Sequence, residues 1–580
     1  SFGYRYSSNS YRSYTPEYKL SSTSFKSPDE VSQNMDTGHN WSWENTISYS
    51  FKIREDHSFN VLAGMSAEEW GLGEGMTGSN LNSVFSDFKH AYLGNTQSIS
   101  SSTSIGGEAW DEGGITSYFG RVSYDYQEKY LLTAIIRADG SSNFARGNRW
   151  GYFPSVSAGW LMTEENFMKG TSGILNFLKI RGSWGENGNQ AIDPFQYLAT
   201  ISFEDAYYPF GSDKSVVATG AYPNILPNTE VTWETSRQLD IGFDARLFNN
   251  RMSLVFDWYK KKTKDWLVNA DNLAIYGANP PYINGGDIEN KGIELALGWN
   301  DTQGDFTYGI ELNLSYNENE VTSIANTEGI IYGPNNVLGQ GTEELYRAQV
   351  GYPIGYFRGY KTKGVFQNEE QVGNYKNSAG KIIMPDAQPG DLIFSDTNDD
   401  GQISDVDKVM IGDPNPDYMI GLNLNFGYKG FDLSINGYGS LGQQIARSWR
   451  RWADSPQNNY TTDILAGRWH GEGSSNKLPR LTYGAHKNYQ NVSDIFIEDG
   501  DYFRISNITF GYDFKQLLKN IPLTQARFFV SVQNIHTFSD YSGMDPEIGT
   551  STTDDDWAKG IDVGFYPTPR TFMIGMNLKF

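Results

Sequence analysis

The chain has 580 residues, no cysteine and a formal net charge of −23, so a disulfide framework or thiolate metal site is excluded and a nucleic-acid surface is disfavoured. Mean hydropathy is −0.53, and with no run of about eighteen or more apolar residues, helical membrane spans are excluded. Aromatic residues nevertheless make up 15% of the chain and Gly reaches 62, which suits strands that show only one face to lipid.

The chain opens at Ser1 without an initiator Met, a basic n-region or an apolar h-region. No signal peptide is visible, and the sequence reads as a processed product, a fragment or a partial record of something longer. Two weak strand candidates lie in 1–25. Fifteen clear ones follow at 41–51, 57–66, 115–126, 129–138, 152–162, 175–184, 236–247, 251–260, 288–299, 305–316, 418–428, 431–439, 502–512, 526–534 and 570–580.

The basis is strict alternation. In 238–247, Leu239, Ile241, Phe243, Ala245 and Leu247 interleave with Gln238, Asp240, Gly242, Asp244 and Arg246. In 306–317, Phe306, Tyr308, Ile310, Leu312, Leu314 and Tyr316 interleave with polar residues or Gly. A period of two puts each set on one face of a strand, and such runs match the length a tilted strand needs to cross a bilayer.

Short links (Gln127–Glu128, Asn249–Asn250, Lys429–Gly430) alternate with long ones (67–114, 185–235, 261–287, 317–417, 440–501, 535–569), while 139–151, 163–174 and 513–525 are intermediate. Membrane barrels sort their connections this way, with short periplasmic turns and long extracellular loops. At the end of the chain, Phe572, Ile574, Met576, Leu578 and Phe580 share one face. The fold class is therefore all-β, a transmembrane antiparallel barrel with long extracellular loops.

The sharpest chemical motif runs from Asp396 to Asp407 within the long loop 317–417. Asp396, Asn398 and Asp400 occupy positions 1, 3 and 5 of a Ca²⁺-type loop, Gly401 position 6, Gln402 position 7, Ser404 position 9 and Asp407 position 12. Alternate side chains would converge on one hard cation, with Gln402 offering its backbone carbonyl. Position 12 is Asp rather than Glu, and no helical pattern flanks the loop. A structural Ca²⁺ is expected, with Mg²⁺ second.

Other motifs point to less. The G-x-G-x-x-G string Gly73–Gly78 lacks a following helix and reads as flexible loop glycine. Six histidines (39, 57, 90, 470, 486, 536) show no metal-protease spacing. No hydrolase elbow or assignable carboxylate dyad occurs, so no enzyme is expected. The aromatic segments Ala206–Phe210 and Gly351–Phe357 could stack on sugars or pack within their loops.

Several stretches together resemble the SusC-type TonB-dependent transporters of Bacteroidota outer membranes, which include the RagA-like peptide importers. They are Ser117–Tyr124, Lys129–Ala134, Arg137–Trp160, Gly182-Ser-Trp-Gly-Glu-Asn-Gly-Asn-Gln190, Ile288–Leu295, Gly351–Phe357, Gly412-Asp-Pro-Asn-Pro-Asp-Tyr418, Ile497-Glu-Asp-Gly-Asp-Tyr-Phe-Arg504 and Tyr566–Thr571. The acidic loop 396–407 sits where that family carries such a motif.

The resemblance implies a barrel of about 22 strands closed by a plug. It implies import of an oligosaccharide or a peptide, driven by a TonB complex acting on the plug, with a SusD-like surface lipoprotein as lid. It also implies an outer-membrane location with the C-terminus at the periplasmic side. Against that pattern, residues 1–580 read as the C-terminal barrel portion, with 15–17 strands and neither plug nor TonB box. The missing strands and plug are expected on another chain or in a portion not included, because an open sheet edge leaves backbone groups unsatisfied in lipid. The competing reading is a structural or adhesive outer-membrane barrel without transport.

Overall fold

A computed structural model describes residues 1–580 except 204–206, 211–215, 270–274, 276, 340, 449–461, 483–485, 519–521 and 549–556. Its main sheet is an antiparallel meander of sixteen wall strands. These are β1 (Phe2–Thr15), β2 (Glu30–Ile53), β3 (His57–Leu81), β4 (Gly113–Tyr126), β5 (Tyr130–Ser141), β6 (Trp150–Leu161), β7 (Leu175–Asn189) and β8 (Glu234–Leu247). They continue with β9 (Met252–Lys264), β10 (Gly286–Gln303), β11 (Phe306–Ile324), β12 (Tyr418–Tyr428), β13 (Phe431–Leu441), β14 (Tyr502–Asp513), β15 (Gln525–Ser539) and β16 (Thr571–Lys579).

Each strand pairs with the next. A further strand, Ser104–Trp110, pairs with the far end of β3, ahead of β4. Among the described residues no pairing joins β16 to β1, so the sheet is open.

All fifteen clear strands are present. The two weak candidates in 1–25 become one wall strand, β1, and a small hairpin of Tyr18–Lys19 with Phe25–Lys26. Pro16 follows β1 directly and has no N–H to continue the ladder.

The strands are longer than alternation alone indicated. At about 3.3 Å per residue, the 24 residues of β2 and the 25 of β3 reach roughly 80 Å, far more than a bilayer crossing needs. Their projecting part, such as Gln33, Asn34, Asp36 and Thr37, is polar on both faces and so carries no alternation. The same holds for Asn317–Glu320, which continue β11, so the loop placed at 317–417 starts at 325.

The Gly73–Gly78 string lies inside β3, not in a flexible loop. A Cβ on Gly73 would sit 2.5 Å from the Trp110 ring, so the missing side chain lets the neighbouring strand lay its indole flat against the backbone.

The hairpins explain the short links. Gln127 and Glu128 (φ 54° and 57°) and Lys429 and Gly430 (47° and 88°) each place two successive residues at positive φ, and Phe248, Asn249 and Asn250 (54°, 59° and 63°) place three. At Lys429–Gly430, the two-residue link between the paired Tyr428 and Phe431, that is the turn whose twist matches the flanking strands. The intermediate links now take sides. Residues 142–149 lie at the long-loop end of the wall, whereas 162–174 and 514–524 lie at the short-turn end.

The wall has two chemically distinct faces. Across β7 to β12, one register row reads Ile180, Phe243, Phe256, Leu295, Leu314, Ile420. The adjacent row, pointing the other way, reads Arg181, Gly242, Asp257, Glu294, Ser315, Met419. An apolar outer face against lipid and a polar inner face are the two requirements of a membrane barrel wall.

The apolar core proper lies beyond the wall, in the long loops. Segments 325–417, 442–501 and 540–570 supply Leu338, Leu345, Tyr346, Phe357, Ala446, Val492, Phe496 and Ile561 to one buried cluster. Tyr360, Val365, Leu392 and Phe394 form another. The segment expected as one long loop is thus a folded body. It carries a four-stranded sheet of Ile330–Tyr332, Tyr346–Gln349, Tyr356–Gly359 and Val409–Gly412.

Candidate functional site

Two places concentrate functional chemistry: the acidic loop 396–407 and the inner wall. The acidic loop follows the short strand Leu392–Phe394 and ends at a single 3-10 turn, Asp405–Asp407. Asp396 Oδ2 accepts from Gly401 N at 2.8 Å, Asn398 Oδ1 from Asp400 N at 3.0 Å, and Asp400 Oδ1 from Gln402 N at 3.0 Å. These local bonds wind the chain into a tight loop, and the reversal falls at Asp399 and Gly401, with φ of 61° and 78°. Glycine adopts such a value without the steric cost other residues meet.

Asp407 closes the loop from inside. It is fully buried, its Oδ1 accepts from Thr397 N at 2.8 Å, and its Oδ2 accepts from Ser404 N at 2.8 Å. Ser404 Oγ lies 3.5 Å from Asp407 Oδ2, while the Asn398 side chain donates to Asp400 Oδ2 at 3.0 Å. Asp396, Asn398, Asp400, Gln402, Ser404 and Asp407 lie in one tight loop, with side-chain oxygens bonded to its own amides. Among the described residues no three His, Asp or Glu side chains form a group that could hold a metal ion, since these carboxylates are turned onto the loop's own amides. One atom stands apart. Asp396 Oδ1 is buried with no hydrogen-bond partner, and a bare carboxylate oxygen in that state costs free energy unless something supplies positive charge.

The electrostatics around the loop favour ionised carboxylates. The hydroxyl and amide of Ser378 hold Asp399 below the usual carboxylate range, and the Asn398 amide does the same for Asp400. Arg358 lowers Asp405 through a hydrogen bond, at 3.2 and 3.1 Å to its two oxygens. Lys408 pairs with Glu343 and Asp405 and is buried. Sequence reasoning missed Arg358, Glu343 and Ser378, which come from other segments of the loop body, and Lys408, which directly follows the motif but whose partner Glu343 lies 65 residues away.

On the inner wall, Arg181 of β7 reaches three carboxylates: Asp240 and Asp244 of β8 at 3.3 and 3.2 Å, and Asp257 of β9 at 2.5 Å. Glu294 of β10 stands opposite Asp257 in the register. This acidic cluster was also not singled out from sequence, although all its members fall on the polar parity of alternating strands.

The aromatic segments divide. The side chains of 206–210 lie outside the described residues. In 351–357, Phe357 is in the loop core, and Tyr356 is buried with its hydroxyl donating to Gln349 at 2.6 Å. Tyr352 stacks on Tyr356 at 4.6 Å between centroids and stays partly open.

Comparison with known proteins places these features in a family. A family model described as "TonB dependent receptor-like, beta-barrel" matches residues 1–535. TonB-dependent receptor P3 of Formosa agariphila is 35% identical over 473 residues, covering 80% of this chain and 45% of the relative. TonB-dependent receptor SusC of Bacteroides thetaiotaomicron is 31% identical over 478 residues, covering 80% of this chain and 44% of SusC. The chain spans about half the length of the curated relatives it matches. Among solved structures, that of the RagAB peptide transporter superimposes with a TM-score of 0.82 at 20% identity, covering 100% of this chain and 59% of that one. At that identity the likeness concerns the fold.

Proposed function

The chain belongs to the TonB-dependent receptor-like β-barrel family, and from that premise we propose that it forms most of the wall and the extracellular loop body of an outer-membrane nutrient importer. One observation carries the reading: a sheet apolar on one face and charged on the other bears a folded loop body at one end only. The Arg181 cluster gives this wall a polar surface along which a hydrated ligand or a plug can move. The chain is read as a carrier, not an enzyme.

Energy would enter through a plug and TonB box encoded outside these 580 residues, together with the roughly six strands needed to close a barrel of about 22. The C-terminus would then sit on the periplasmic side with the short turns. A SusD-like surface lipoprotein is the proposed lid, docking on the loop body. This rests on the relationship to SusC and the fold shared with RagAB. The cargo would be an oligosaccharide or a peptide.

A structural Ca²⁺, with Mg²⁺ as the alternative, would be held by Asp396, Asn398, Asp400, the backbone carbonyl of Gln402, Ser404 and Asp407. The all-oxygen donor set suits a hard cation, and the orphaned Asp396 Oδ1 fits a bound positive charge. The ion would supply no chemistry beyond stiffening the loop. Asp400→Ala would then loosen 396–407 and weaken lipoprotein association, and association unchanged in metal-free buffer would remove the ion from that role.

The import reading is tested by deleting the full gene and measuring uptake of labelled oligosaccharides and peptides by whole cells, with and without a protonophore. Loss of energy-dependent uptake is expected. Uptake indifferent to the deletion across both classes would favour the adhesive reading.

A further inference from the structure

We propose that the lipid-facing side of the wall binds the phosphorylated head group of an outer-leaflet lipid, on β8 to β10 just above an aromatic row. The register shows where apolar contact with the bilayer ends. On the outward parity, one row reads Ile241, Trp258, Ile293, Tyr316, Tyr418 from β8 to β12. The next outward row towards the loop body reads Leu239, Lys260, Lys291, Glu318. Beyond it comes Glu186, Arg237, Lys262, Glu289, Glu320, across β7 to β11. Lys260 stands about 27 Å along β9 from Met252 at the short-turn end, or roughly 20 Å of height at a tilt of about 40°. The apolar band of a membrane barrel is about 25 Å tall and ends in aromatic residues, so the charged rows stand at head-group level.

The arrangement of the cations points to an anion between them. Arg237 stands directly opposite Lys262, and Lys260 directly opposite Lys291. Like charges in that position repel, and a bridging anion would turn the repulsion into attraction. With strands about 4.8 Å apart and outward rows about 7 Å apart, the four cations fall within a patch of roughly 10 Å. Each has one carboxylate at the patch edge: Glu186 for Arg237 at 2.5 Å, Glu289 for Lys260 at 2.8 Å, and Asp287 for Lys262 and Glu318 for Lys291 at 3.0 Å. The cation side chains nevertheless keep 34–47% of their surface open. An ammonium has three donors and a guanidinium five, so donors remain after one carboxylate is met.

Position decides the source of the anion. These side chains have the parity opposite to Asp257 and Glu294, so they point away from the lumen and toward the membrane. A solute reaching them would have to enter the head-group layer, where lipid phosphates are already concentrated. A phosphate also has enough oxygens to accept from two opposed cations at once, which makes it the anion suited to a cross-strand cation pair. The inference uses the family's membrane wall and goes beyond the import reading, on which it does not depend.

Full-length protein purified from outer membranes in detergent and stripped of lipid is titrated with three probes. These are lipid A carrying its phosphates, the same lipid A with the phosphates removed, and inorganic phosphate. Bound lipid is counted by native mass spectrometry, and barrel integrity is checked by heat-modifiable electrophoretic mobility. Phosphorylated lipid A is expected to bind more tightly than the dephosphorylated form. Each cation near a charged membrane surface contributes a factor of about five, so Lys260→Gln with Lys291→Gln should weaken that binding roughly thirtyfold. Lys260→Arg with Lys291→Arg should retain it, and Arg237→Gln with Lys262→Gln replaces the first pair if that protein does not fold. The proposal is overturned if the two forms of lipid A bind alike, or if the Gln variants bind phosphorylated lipid A as the wild type does. It is equally overturned if inorganic phosphate alone displaces the lipid at matching concentration, which would make the patch a site for free phosphate.

Discussion

Replacing Asp407 by Ala removes an acceptor that two backbone amides depend on. Both of its oxygens are buried, and they take the N–H groups of Thr397 and Ser404 at 2.8 Å each. A hydrogen bond to a charged acceptor contributes about 1.5–3 kcal/mol, so losing two weakens the closed loop by roughly 3–6 kcal/mol. At about 1.4 kcal/mol per factor of ten, the opening equilibrium at these amides shifts by about 10² to 10⁴. Hydrogen exchange read by mass spectrometry on the full-length protein in detergent, resolved to peptides covering 395–408, reports that shift directly. The loss is expected without added metal, because the two hydrogen bonds belong to the protein alone. Exchange at Thr397 and Ser404 within about threefold of wild type, at saturating and at chelated Ca²⁺, would show that Asp407 does not hold the loop.

Four further outcomes are expected. If Ca²⁺ occupies 396–407, a concentration a hundred times the dissociation constant stabilises the loop by about 2.7 kcal/mol; limited proteolysis between 375 and 408 should accelerate on chelation and recover with Ca²⁺. Leu295→Arg on the lipid-facing row should destabilise folding in liposomes by about 2–4 kcal/mol, and Asn313→Arg on the inner face far less, by urea titration; equal costs would mean the faces are misassigned. Gly73→Ala would push a Cβ to 2.5 Å from Trp110 and 2.6 Å from Thr37 O, an overpacking of roughly 1–3 kcal/mol visible as faster exchange across Ser104–Trp110. Burial pushes Glu498 up, but hydrogen bonds from Ser542 and Arg447 prevail and hold it below the usual glutamate range. Its stabilisation is therefore complete above about pH 4.3 and lost as pH falls through the lowered value. Pepsin cleavage of the loop body should rise over that interval in wild type, whereas Glu498→Gln should remove this dependence.

Sequence alone determined the parts of this protein that repeat at short range. A period of two in Leu239–Leu247 or Phe306–Tyr316 decides both strand and face, because each side chain's environment follows from its parity. The Gly401-centred spacing marked 396–407 as a loop rich in alternate oxygens, while the structure shows those oxygens bonded to the loop's own amides. Where both faces meet water, as in Gln33–Thr37 and Asn317–Glu320, parity has nothing to separate, and strand continuation became visible only through the partner strand. The Gly73–Gly78 string read as a loop because its purpose, admitting Trp110, lies 37 residues away in sequence. Only the tertiary structure brought Arg358 to Asp405, Lys408 to Glu343 and Arg181 to three aspartates on two other strands. Ion pairs between distant segments leave no periodic trace, because a charge on a solvated face and a charge bound for a buried partner are the same letter until the chain has closed around them.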